Sequence, residues 1–179
     1  MTDFVLVDDA YITLRYARNA AETGALVYSS GEAVFGVTSP LWAFVTWGLM
    51  EVVGPRGIEA AVVVLGIALS SCVALQAARR LPAPTRGLTL AVLLFAPVFV
   101  DNQMLGMETP LVAFLAVFAV DAALRGRLTS ASLWAGLLMV ARPEGVLLAP
   151  ALLYAAGTSS GGIRAAISKL IRPVNASLL

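Results

Sequence analysis

The chain has 179 residues, of which 59% are hydrophobic and 13% charged, and its mean hydropathy is +0.87. Soluble domains carry about 25% charged residues, so this much apolar surface excludes a disordered chain and points away from a water-soluble globule. A single cysteine, Cys72, excludes a disulfide scaffold, and a net charge of +1 without a basic face gives no basis for nucleic-acid binding. The class that remains is all-α: a polytopic helical membrane protein in the plasma membrane.

In chain order, residues 1–39 hold no span of their own and lack the basic and apolar regions of a secretory signal. The expectation is therefore a chain that starts after an upstream helix, with residues 1–40 forming an acidic outer loop. Asp8 and Asp9 stand where a helix should begin, a place where the helix dipole favours ionised carboxylates. Tyr11, Arg15, Arg18 and Glu22 follow at helical spacing, and Gly24 is a natural stop. Residues 41–53 carry Trp42, Trp47 and Glu51, which suits a helix lying flat at headgroup level better than a span.

Crossing about 30 Å of hydrocarbon takes roughly 20 apolar residues. Ile58–Ala78 meets this alone, and residues 87–100 extend toward Leu105. Residues 110–124 come next, with Asp121 four residues before Arg125, the spacing of a helical ion pair. Leu128–Ala141 and residues 146–156 are two short runs on either side of Arg142-Pro143-Glu144-Gly145, read as two helices and a turn. Cys72 reads as small-residue packing with Ser70 and Ser71, and residues 158–179 as a cytoplasmic tail.

The positive-inside rule orients these elements. Arg79, Arg80 and Arg86, then Arg125 and Arg127, then Arg164, Lys169 and Arg172 fall on one side, which is taken as cytoplasmic. Five spans then turn three polar segments outward: residues 1–39, 101–109 and 142–145. Pro110 suits the first turn of the following helix with Thr109 as its cap, leaving Glu108 just outside. Arg142, if held at membrane depth, marks function, because burying a cation there costs about 2.5–3.5 kcal/mol; the alternative is a mutual Arg142–Glu144 pair in a tight turn. Carboxylates in two outer segments and a guanidinium in a third suit a reaction on a lipid-linked anionic substrate. A carboxylate takes the proton of an acceptor hydroxyl, and a guanidinium holds a phosphate leaving group. The absence of histidine excludes His-based chemistry, and no nucleotide-binding glycine loop is present.

These residues carry a resemblance. Asp8-Asp9-Ala10-Tyr11-Ile12-Thr13-Leu14-Arg15-Tyr16, then Gly31-Glu32 through Ser39-Pro40-Leu41-Trp42, resemble the first outer loop of GT-C glycosyltransferases. Gly106-Met107-Glu108-Thr109-Pro110-Leu111 and Ala141-Arg142-Pro143-Glu144-Gly145 are similar to later motifs of that superfamily, in the same order. The likeness is nearest to the actinobacterial, terminal-arabinofuranosyltransferase-like branch, and it covers nearly all of this chain but only the N-terminal half or less of such a protein. It implies sugar transfer from a polyprenyl-phosphate donor to a glycan or lipid acceptor of the cell envelope, usually with inversion. By the same resemblance, one of Asp8 and Asp9 is the general base, Asp8 being favoured with Asp9 orienting substrate, and Glu108 assists acceptor or metal binding. Arg142 faces the donor phosphate, Arg15 reaches toward it, and Glu32 shapes the loop. No cofactor other than the lipid-linked donor is implied, and a divalent metal is left open. The rival readings are a fragment of a polytopic transporter, with its charges facing one another near the midplane, and an inactive remnant.

Overall fold

The computed structural model describes residues 6–29, 36–95, 100, 101, 104–152 and 154. Every regular element among them is helical. They are α1 (Asp8–Thr23), α2 (Pro40–Val53), α3 (Ile58–Ala78), α4 (Ala83–Phe95), α5 (Thr109–Leu124) and α6 (Leu128–Ala141), followed by a 3-10 helix over Pro143–Leu148. The chain divides into two compact units, Met1–Phe114 and Leu115–Leu179.

In the first unit α1 packs along α2, α2 against α3, and α3 against α4. The core follows from the helical period. Ala10, Leu14, Ala17 and Ala20 recur on one face of α1, and Trp42, Ala43, Thr46 and Met50 on one face of α2. Small residues on α1 let the two helices approach closely, and the large Trp42 fills the space between them at 1% exposure. Gly24 ends α1 in the left-handed conformation at φ 74°, its N–H donating to the Ala20 carbonyl at 2.8 Å. Pro40 opens α2 at a first-turn position, where its missing N–H removes nothing from the helix.

α3 has 21 residues, hence a length of about 32 Å at the usual 1.5 Å rise, and it is long and apolar enough to cross a bilayer. Its boundaries coincide with those expected from the apolar run. Val64, Ile67 and Leu75 on its outer side are exposed. The other expected spans are shorter: α4, α5 and α6 have 13, 16 and 14 residues. By length and composition the five-span expectation is therefore met by α3 alone among the described residues. Cys72, expected in packing, is exposed; Ser70 beside it is buried, and the Ser71 hydroxyl bonds back to the Ile67 carbonyl at 2.7 Å.

In the second unit Ala122, Ala123 and Ala131 form a small core on which Trp134 and Leu152 pack. Phe118 and Trp134 meet with ring centroids 5.8 Å apart, in a tilted arrangement typical of aromatic pairs. The expected Asp121–Arg125 pair forms at 2.7 Å, one helical turn apart. At Arg142 the backbone turns extended (φ −149°, ψ 124°), which breaks α6 before the 3-10 helix begins. The two-helices-and-a-turn reading of 142–145 thus has its geometric counterpart in this break.

Candidate functional site

Asp8 and Asp9 form the first turn of α1, where both are exposed and both lie near the positive end of the helix dipole. Neither is the cap. That position belongs to Val7, whose carbonyl accepts the Ala10 amide at 2.9 Å and the Tyr11 amide at 3.4 Å. The aspartates' own side chains are therefore not consumed as caps, and their carboxylates face solvent.

The second acid-bearing segment is fastened to this helix start. The Val7 amide donates to the Leu105 carbonyl at 3.4 Å, and Gly106 lies against Leu6 and Ala10. Trp42 of α2 closes the arrangement, its indole N–H donating to the Gly106 carbonyl at 3.2 Å in a buried setting. Gly106 adopts φ 73°, a conformation that bends the chain back toward α1 and into α5. Two residues later the Glu108 carbonyl accepts the Val112 amide at 3.0 Å, so Glu108 starts α5 through its backbone.

Two expectations change here. Trp42, read as a headgroup-level residue, is a buried clamp, because its indole has a carbonyl to satisfy between α1, α2 and the 104–108 segment. Glu108, expected just outside the cap of the following helix, is only 4% exposed. The sequence held no signal for the clamp, which depends on a contact between residues 64 apart in the chain.

Arg15 is exposed and already engaged. Its Nε donates to the Tyr28 carbonyl at 3.1 Å, and its guanidinium lies 4.3 Å from the centre of the Tyr28 ring. Asn19 donates to the Val27 and Tyr28 carbonyls at 2.8 and 2.9 Å, so the two side chains strap the loop after α1 onto that helix. Tyr16, buried one position along, accepts the Gly36 amide at 3.0 Å through its hydroxyl.

Beside this strap an open groove of about 390 Å³ runs between α1 and the α2–α3 corner. Tyr11, Arg15, Arg18 and Asn19 line one wall, Pro55 and Glu59 the other, with Leu14, Met50 and Ile58 beneath. The helical spacing of Tyr11, Arg15 and Arg18 was legible in the sequence; the opposing wall was not.

Arg142 belongs to the second unit, where it is half-buried at the break after α6. Its amide donates to the Leu138 carbonyl at 2.8 Å and its carbonyl accepts the Gly145 amide at 2.9 Å. Glu144 is exposed. Glu32 lies outside the described residues. Among the described residues no three His, Cys, Asp or Glu side chains are placed to hold a metal ion.

No protein-family model, no functionally characterised protein and no solved structure matches this chain.

Proposed function

We propose that the chain is the acid-bearing part of a GT-C type membrane glycosyltransferase that moves a sugar from a polyprenyl-phosphate donor to a hydroxyl of an envelope glycan or lipid on the outer face. One observation carries this reading: the Asp8-Asp9 turn and the Glu108 segment, far apart in the chain, are tied together through Val7, Leu105, Gly106 and Trp42. A transporter pathway would call for acids along helix interiors, whereas these stand at helix starts.

In this reading the Asp8 carboxylate takes the proton of the acceptor hydroxyl as its oxygen attacks the anomeric carbon. The bond from that carbon to the phosphate oxygen breaks, and the polyprenyl phosphate leaves with the electron pair. Asp9 orients the acceptor, while Glu108 supports it from the second segment. The resemblance gives the departing phosphate to Arg142, a task suited to a planar guanidinium. Arg15 contributes less than the resemblance implied, because Tyr28 already occupies two of its nitrogens.

The test is sugar transfer in membranes containing the chain, with radiolabelled polyprenyl-phosphate arabinose and polyprenyl-phosphate mannose as donors. Asp8→Asn is expected to lose transfer while inserting normally. Full transfer by that variant removes Asp8 from the mechanism, and release of polyprenyl phosphate from neither donor by the unaltered chain refutes the reading.

A further inference from the structure

The groove between α1 and the start of α3 shares only Arg15 with the sugar-transfer reading, and Arg18 and Glu59 have no part in it. Two guanidinium groups, Arg15 and Arg18, face one carboxylate, Glu59, over an apolar floor of Leu14, Met50 and Ile58. With all three ionised, the groove carries one excess positive charge. Arg15 spends Nε and Nη1 on Tyr28. Arg18 is exposed and, among the described residues, has no hydrogen-bonding or ionic partner.

The groove's position is as informative as its charge. Ile58 and Glu59 are the first residues of α3, the helix whose length matches the hydrocarbon thickness. A groove at that end lies at headgroup depth when α3 spans. Below it, on the face of α3 that carries Ile58, Leu65 and Leu69 follow seven and eleven residues along and are half-buried, an apolar track leading from the groove floor. A cationic pocket opening onto an apolar helix face fits an amphiphile with one negative charge at its head.

We propose that this groove seats the phosphodiester headgroup of an anionic membrane phospholipid, with Arg18 as its principal cation and the acyl chains lying along α3. Arg18 offers a planar fork to the phosphate oxygens, and Glu59 repels a second negative charge, so a monoanionic diester is favoured over a phosphomonoester. The inference depends on α3 spanning and not on the chain being an enzyme.

Native mass spectrometry of the full chain in detergent tests it, with four probes at equal concentration: phosphatidylglycerol, phosphatidylcholine, farnesyl phosphate and glycerol 3-phosphate. Phosphatidylglycerol is expected to bind most tightly. Arg18→Ala should weaken it about tenfold, the loss of one charge-assisted contact, with helix content by circular dichroism unchanged. Arg18→Lys should recover part of the affinity, and Arg56→Ala, an exposed cation that does not line the groove, should leave it intact. Equal binding by Arg18→Ala, or an equal loss in Arg56→Ala, overturns the assignment of the site. Phosphatidylcholine, farnesyl phosphate or glycerol 3-phosphate binding as tightly as phosphatidylglycerol overturns the assignment of the ligand.

Discussion

Gly106→Ala is the substitution that most directly tests how the two acid-bearing segments are joined. Gly106 sits at φ 73°, where an alanine pays about 1–2 kcal/mol for the left-handed backbone. A Cβ there would also lie 3.1 Å from both Leu6 methyls and 3.3 Å from the Ala10 Cβ, so a packed contact must open as well. Overpacking of this kind costs about 1–3 kcal/mol, giving roughly 2–5 kcal/mol for the variant. Gly24→Ala is the matched control: its φ is 74°, but nothing lies within 4 Å of the added Cβ, so only the backbone cost of about 1–2 kcal/mol applies. Thermal unfolding in detergent, followed by circular dichroism, should place Gly106→Ala below Gly24→Ala by several degrees, at roughly 2–4 °C per kcal/mol for a chain of this size. Hydrogen exchange at the Val7 amide, which bonds to the Leu105 carbonyl, should speed up in Gly106→Ala alone. Equal melting of the two variants, with Val7 equally protected in both, would refute the packing of residues 104–108 against α1.

Cys72 is exposed on α3, so a charged, impermeant maleimide should fail to label it in intact membranes and succeed after denaturation in SDS; labelling of the native protein would show that α3 does not cross. Trp42→Phe strips the buried Gly106 carbonyl of its donor and should cost about 1–3 kcal/mol, read by the same unfolding assay. Tyr16→Phe should cost about 1 kcal/mol through the lost Gly36 bond. A double-mutant cycle on the Asp121–Arg125 pair should return no more than about 0.5 kcal/mol, because Arg125 is 46% exposed.

What the sequence made legible has a common cause. α3 and α6 could be bounded to the residue because their apolar runs end abruptly, at Arg79 and at Arg142. α1 was legible from its period and its glycine stop, and Asp121 from one helical turn of spacing to Arg125. All of these are local properties. The clamp of Trp42 on Gly106, the burial of Glu108 and the far wall of the Arg18 groove arise from non-local contacts, which composition and periodicity do not encode. The contact of Arg15 with Tyr28 was hidden for a related reason: Tyr28 lies beyond the end of α1, in a loop whose path no helical spacing could give.

The bond between Val7 and Leu105 has a kinetic corollary. At about 5–20 residues per second of synthesis, roughly 5–20 s separate the appearance of the two partners at the ribosome. Within that interval the Trp42 indole N–H has only water to bond until Gly106, 64 residues further on, is made. Factors that shield aromatic surface on nascent chains should therefore govern how much of this protein reaches its final state.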